Sequence, residues 1–191
     1  ITEYVNGLFD MESNDIRGLN YTYNADGYIW KYLGVDKTTA RAASENDQNY
    51  IIYRLADVLL MKAEALIMQG HNEDAADLID RTRERAGLGE TTLSDDRMVM
   101  VETLLVELQK EFFGEGKNWF DLLRIGLRSE QLNDTQYKTL FVEQALKAVG
   151  ASRQSLGRAT LANSGSWYLP YSEDELSKNP LLEQSDYYQS I

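Results

Sequence analysis

Apolar and polar positions alternate at helical spacing through the middle of the chain and lose that order towards both ends. From about Ile52 to Met68, Leu55, Leu59, Ala63, Leu66 and Ile67 fall on one broad apolar side of a helical wheel. Arg54, Asp57, Lys62 and Glu64 occupy the rest. Gly70 closes this helix, since glycine takes a left-handed C-terminal conformation without strain. Asn72 is a candidate cap for a second helix, with Glu73 and Asp74 in its first turn and Arg81, Arg83 and Arg85 in its last turns, as the helix dipole favours. Gly87 ends it. A third helix is predicted from about Asp95 to Phe113, capped by Ser94 and with a buried seam of Met98, Val101, Leu105, Leu108 and Phe112. Gly114-Glu115-Gly116 breaks it, and a short fourth helix runs from Asn118 to Gly126.

The small residues sharpen this pattern. Ala63, Gly70 and Ala75 lie seven and five apart, with Ile79 four further on, which is the small-residue spacing of a tetratricopeptide-type helical hairpin. The same spacing suits any antiparallel helix pair of an all-α domain. Two helix pairs in succession suggest a small right-handed stack of the repeat-protein kind.

Outside this core the pattern weakens. In residues 1–50, Leu19, Tyr21 and Tyr23 and then Tyr28, Trp30 and Tyr32 alternate around Asn24–Gly27, so two short strands forming a β-hairpin are predicted. Trp30 and Tyr32 would share one face, either against the helices or open to a ligand. Asp36–Asn49 reads as a polar loop. Thr135–Val149 reads as a helix, and the Ser-, Gly- and Arg-rich run from Ser152 to Ser166 as an exposed loop. Trp167-Tyr168-Leu169-Pro170 is a short extended piece, Ser172 caps a brief turn through Leu176, and Asn179-Pro180 ends it.

Composition narrows the chemistry. The formal charge of −12 over 191 residues argues against a nucleic-acid partner, because phosphate binding needs clustered Lys and Arg. There is no cysteine, hence no disulfide or thiolate metal site, and the lone histidine, His71, excludes a multi-histidine metal site. No apolar run is long enough to span a bilayer as a helix. No phosphate-cradling glycine motif occurs. Twelve tyrosines and three tryptophans are a generous aromatic supply, available for sugar stacking as well as for cores.

Four blocks then resemble one family. Arg54 through Ala65 (RLADVLLMKAEA) is similar to the RLADVLLMYAEA block of the SusD/RagB family, and Arg83-Glu84-Arg85-Ala86-Gly87 to its R-x-R-A-G close. Glu111 followed by Glu115-Gly116-Lys117-Asn118-Trp119-Phe120-Asp121-Leu122-Leu123-Arg124 resembles its E-L-x-x-E-G-x-R-W-F-D-L-x-R block. Leu169-Pro170, Glu173, Leu176, Asn179-Pro180, Leu182, Gln184 and Tyr187 resemble its C-terminal block. Asp15-Ile16-Arg17 and Lys31-Tyr32 match weaker D-x-R and K-Y signals. Two departures stand out: Leu108 and Gln109 follow Glu107 where arginines are usual, and Ser185-Asp186-Tyr187 stands where the family has Asn-Pro-Gly.

The resemblance implies a single C-terminal SusD/RagB-like domain over 1–191, the family's members usually being far longer. Its parts would be a loop and hairpin region over 1–50, a helical core over 51–126, and a variable helix, loops and tail over 127–191. The fold class is all-α: tetratricopeptide-like helical hairpins with a short β-hairpin and long irregular loops. The implied role is non-catalytic binding of an oligosaccharide or polysaccharide, together with a SusC-like TonB-dependent transporter and without a cofactor. The implied location is the outer-membrane surface, with a lipid anchor on an N-terminal region absent from this chain. A peptide-binding relative and a protein-contacting helical scaffold are the alternatives. Trp30 with Tyr32, and Trp167 with Tyr168, are the aromatic pairs that could meet a sugar. Arg54, Asp57, Glu64, Arg83 and Arg85 read instead as partly buried ion pairs that fix how helices meet, Arg54 pairing with Asp57 three residues on.

Overall fold

A computed structural model describes residues 3–10, 14–18, 21–32 and 49–189. Leu19 and most of the Asp36–Asn49 stretch lie outside the described residues. The chain divides into two compact units, Ile1–Leu122 and Leu123–Ile191. In the first, α1 (Glu3–Asp10), α2 (Leu55–Gln69), α3 (Asn72–Arg85) and α4 (Arg97–Glu111) pack together, and α5 (Asn118–Gly126) runs across the division.

The α2–α3 hairpin follows from the small residues. Ala63, Ala75 and Ile79 are fully buried, and Gly70 turns the chain at φ 81°. Its amide and that of His71 close on the carbonyls of Ile67 and Leu66. Helix α4 lies against both α2 and α3 and is buried along most of its length, with Met100, Val101, Leu104 and Leu105 in the core.

Three expectations shift in detail. Asn72 is the first helical residue of α3 rather than its cap, and its Nδ2 donates to the Ser94 carbonyl at 2.8 Å. Asp96, not Ser94, caps α4 by accepting from the Met98 amide. The buried face of α2 is rotated: Ala56, Leu60, Ala63 and Ile67 face inward with Asp57 and Glu64, whereas Leu55 is 67% exposed. Leu60, Ala63 and Ile67, each fully buried, define the inward side, and the two carboxylates lie on it.

Among the described residues there is no strand. Where the β-hairpin was expected, the backbone makes one antiparallel bridge, Tyr23 with Ile29, around a turn closed by Gly27 N–H to the Asn24 carbonyl. Side-chain docking dominates here. The Tyr23 ring sits 5.9 Å from that of Phe9 and 5.6 Å from that of Phe113, and its hydroxyl donates to Asn6 Oδ1.

The second unit contains α6 (Arg128–Leu132), α7 (Thr135–Leu146), α8 (Ala151–Leu161), a 3-10 turn at Ser164–Trp167, α9 (Glu173–Lys178) and α10 (Asp186–Gln189). Tyr137, Leu140, Phe141, Leu146 and Trp167 form its core with Ile125. The chain over Ala151–Leu161 is helix, not loop. No residue of α8 is buried, so it has no apolar stripe to read in sequence. Its neighbours hold it: it packs against α7 and the 3-10 turn, Gln154 donates to the Val149 carbonyl, and the Trp167 indole donates to the Leu161 carbonyl at 2.9 Å, while the half-exposed Arg158–Glu143 pair adds little.

Candidate functional site: an aromatic ledge on a buried ion network

The C-terminus of α4 is where the first unit's charges gather. Its last carbonyls lack intrahelical partners and bear the negative end of the dipole, so cations are favoured there. Lys31 Nζ donates to the carbonyls of Glu111 (2.8 Å) and Phe113 (3.1 Å), and Arg54 Nη2 to that of Glu111 at 2.7 Å. Gly114 and Gly116 then turn the chain at φ 80° and 73°, bringing Glu115 back beneath these cations. Glu115, 1% exposed, accepts from Lys31 (2.6 Å), Arg54 (2.7 Å) and Lys117 (3.0 Å). Burial opposes its charge, but the hydrogen bonds from Arg54, Lys31 and Lys117 prevail and hold the carboxyl at about 2.

The network continues inward. Glu111 pairs with Arg17, Arg54 and Arg85, and Glu107 with Arg17 at 2.6 Å and with the Thr82 hydroxyl at 2.6 Å. Asp15 grips Arg17 and lies 3.4 Å from Lys110, which is itself 1% exposed. Burial favours neutral Asp15, yet Arg17 and Lys110 bring its pKa below the ordinary value. For Lys31 the balance is reversed: burial outweighs the hydrogen bond to Glu115 and lowers its pKa, favouring the neutral form.

The sequence-derived ion-pair residues take specific places in this arrangement. Arg54 does not give its guanidinium to Asp57. Its backbone N–H donates to Asp57 Oδ2 at 2.8 Å, capping α2, while Lys117 binds Asp57 Oδ1 at 2.6 Å. The guanidinium instead reaches Glu111 at the end of α4 and Glu115 in the turn beyond it. Arg85 also turns to α4, whereas Arg83 bonds the Gly89 carbonyl and lies 3.9 Å from Asp80. Glu64 is buried, 2% exposed, on α2. Glu107, Lys110, Lys31 and Lys117 are network members that the sequence reading did not place. For Glu107 and Lys110 the signal was charge on a helix whose neighbouring positions are apolar; Lys31 and Lys117 lie off the helices, and their signal was the K-Y and Glu-Gly-Lys motifs.

Aromatic side chains lie on this base. The rings of Tyr32 and Tyr50 are 6.3 Å apart and within 5° of parallel. Tyr50 donates its hydroxyl to the Glu115 carbonyl at 3.1 Å and remains 69% exposed. Its hydroxyl lies 3.2 Å from where a Cβ on Gly116 would stand. Tyr53, 73% exposed, has Lys117 Nζ 5.8 Å from its ring. Burial, then the Glu115 charge, raises the Tyr32 pKa, so its hydroxyl stays protonated. Tyr32 thus stacks on Tyr50, a partner that sequence reading missed, and Tyr53 lies against Lys117 of the same network; both added tyrosines flank the start of α2, where no alternation singles them out. Trp30, half-buried, donates its amide to the Thr22 carbonyl.

The second aromatic pair separates. Trp167 is 3% exposed, 4.1 Å from the Phe141 ring, and offers no face to a ligand; Tyr168 is 49% exposed. Among the described residues no cluster of His, Asp or Glu could hold a metal ion. His71 is exposed in the α2–α3 turn, beside a hollow of about 410 Å³ lined by Asn72, Glu73, Asp74, Asp95 and Arg97.

The residues that bind α4 to its surroundings are those of the D-x-R, K-Y, Arg54 and Glu-Gly-Lys signals. The SusD family model matches residues 3–188. The chain belongs to the SusD family. Among curated relatives, SusD-like protein P38 of Formosa agariphila is 36% identical over 89 residues, covering 42% of this chain and 18% of the relative. SusD-like protein P25 of the same organism is 29% identical over 171 residues, covering 88% of this chain and 28% of the relative. A SusD superfamily protein from Bacteroides vulgatus superposes with a TM-score of 0.58 at 29% identity, over 73% of this chain and 27% of that one. One from Bacteroides fragilis gives 0.50 at 27% identity, over 73% and 28%. The chain therefore spans about a quarter of the length of these relatives. SusD family proteins are in general binding proteins rather than enzymes, associated with the outer membrane as lipoproteins. Among the described residues no helix is long and apolar enough to cross a membrane.

Proposed function

We propose that this chain is part of a non-catalytic, surface-exposed, lipid-anchored receptor that binds an oligosaccharide or polysaccharide at the outer membrane and passes it to a SusC-like TonB-dependent transporter. The observation that supports a sugar ligand is the Tyr32–Tyr50–Tyr53 ledge. The exposed rings of Tyr50 and Tyr53 suit the apolar face of a pyranose. The ledge is held before any ligand arrives, since Tyr50 is anchored to the loop that the buried network fixes. Pre-organisation of this kind lowers the ordering cost of binding.

The test is titration of the chain with maltohexaose, xylohexaose and laminarihexaose by calorimetry, comparing wild type with Tyr50→Ala and Tyr50→Phe. Removing one stacking ring should weaken binding by about tenfold, a loss of ~1.4 kcal/mol. The phenylalanine variant keeps the ring and should retain most of the affinity. Equal binding by all three proteins would remove the ledge from the site. Binding of peptides in place of every glycan would favour the peptide-receptor alternative.

A further inference from the structure

A cleft of about 430 Å³ opens between α1 and the Asn24–Gly27 turn of the first unit. Asn6 and Asp10 of α1 form one wall, and Tyr23, Asn24, Asp26 and Gly27 the other; among the described residues no Lys or Arg lines it. The walls are set without a ligand. The buried Tyr23 ring packs against Phe9 and Phe113, and its hydroxyl donates to Asn6 Oδ1, leaving Asn6 Nδ2 as a donor. Asn24 Oδ1 accepts from the Tyr28 amide at 2.8 Å, and Gly27 turns the chain at φ 84°. Asp10 makes no ion pair among the described residues. It is also the last residue of α1, where the helix dipole opposes a negative charge. Local rules are broken in this way at positions kept for what they bind.

The chemistry of the cleft is that of a polyol site. A carboxylate accepts from two hydroxyls and a carboxamide both donates and accepts, which matches the adjacent hydroxyls of a sugar. Asp10 and Asp26 repel a uronate or a sulfate, so the fitting sugar is neutral. An aromatic side leads away from the cleft. Ile29, opposite Tyr23 in the bridge, lies against Gly114, so Tyr28 and Trp30 on either side of it turn the other way. Tyr28, 68% exposed, follows Gly27 directly. The same segment ends at Tyr32 on the ledge, at most ~18 Å of extended chain from Gly27, within reach of one oligosaccharide.

We propose that the cleft between α1 and the Asn24–Gly27 turn is a second glycan subsite, which takes the hydroxyls of a neutral sugar unit while the rest of the oligosaccharide lies along Tyr28 towards the ledge. This rests on the glycan-binding reading given above and adds a separate point of attachment and a ligand class to it.

The test uses the protein as the native gene encodes it, in wild-type, Asp10→Asn and Tyr50→Ala forms. Each is titrated by calorimetry with maltohexaose, xylohexaose, laminarihexaose and, as the charged counterpart, hexagalacturonate, and each is melted without ligand. Asp10→Asn keeps the side chain's shape and removes its charge. It should weaken binding of the neutral hexasaccharide by ~5-fold or more, since hydrogen bonds to a charged acceptor are the stronger kind. Its melting temperature should equal or exceed that of wild type, because a charge opposed by the helix dipole is gone. Unchanged affinity in Asp10→Asn with weakened binding in Tyr50→Ala overturns the subsite and leaves the ledge. Weakened binding in Asp10→Asn with unchanged affinity in Tyr50→Ala keeps the subsite and removes the ledge. A loss of affinity accompanied by a lower melting temperature makes Asp10 a structural residue and overturns the proposal. So does tighter binding of hexagalacturonate than of every neutral hexasaccharide. Wild-type protein that binds none of the four overturns both readings.

Discussion

Replacing Glu115 by glutamine tests whether the buried network is what fixes α4 in the first unit. The substitution keeps the side chain's size and removes its charge, leaving Lys31, Arg54 and Lys117 around a neutral group. Two routes give the size of the effect. The carboxyl lies at about 2 against an ordinary 4.5, a gap of ~2.5 that corresponds to about 3 kcal/mol at ~1.4 kcal/mol per tenfold change in the proton equilibrium. Breaking a buried ion pair by removing one partner typically costs ~3–5 kcal/mol. For a chain of this size 1 kcal/mol moves the melting temperature by about 2–4 °C, so Glu115→Gln should melt ~10 °C lower near neutral pH. The pH dependence identifies the cause. A carboxyl whose pKa is lowered on folding stabilises the fold fully above the unfolded value of 4.5 and loses that contribution as pH falls towards about 2. Thermal melts followed by far-UV circular dichroism should therefore show the gap between wild type and variant falling to less than half by about pH 3. A gap below ~2 °C near neutral pH, or one that does not change on acidification, would refute the reasoning.

Three further outcomes follow from the same geometry. Asp57→Ala removes both the cap on the Arg54 amide and the partner of Lys117; it should cost about 3 kcal/mol in urea unfolding and leave the glycan affinity of the folded protein unchanged. Gly126→Ala would place a Cβ 2.9 Å from Phe141 Cβ and 3.1 Å from the Trp167 ring, so it should destabilise the second unit by roughly 1–3 kcal/mol, read as an early shift in tryptophan emission on heating. Arg158→Ala removes an ion pair whose two side chains are about half exposed, and its melting curve should overlay that of wild type, since exposed pairs contribute little.

How legible this protein was depended on which force acted at each position. Where small residues and glycine govern local geometry, sequence was enough. Ala63, Gly70 and Ala75 announced the α2–α3 hairpin, because close helix approach and the left-handed turn at Gly70 admit few residue types; Gly126 does end α5, but in a right-handed conformation close against Phe141 and Trp167. The blocks around Arg54, Arg85 and Glu115 were equally legible as a family resemblance, but not what they contact. Arg54 and Asp57 lie within one turn of each other, and pairing them was the local answer. Only the fold shows that the end of α4 and the turn after it bring Glu111 and Glu115 to Arg54, from 57 and 61 residues away. The same holds for α8, which has no apolar stripe of its own and is helical through what it touches. It holds as well for the aromatic candidates: Trp167 and Tyr168 are neighbours in sequence, yet one fills the core and the other is exposed. Periodicity and backbone chemistry are properties of a short stretch and can be read from it. Partner choice among buried charges and the exposure of an aromatic ring depend on which distant segments meet, and only the tertiary structure decides that.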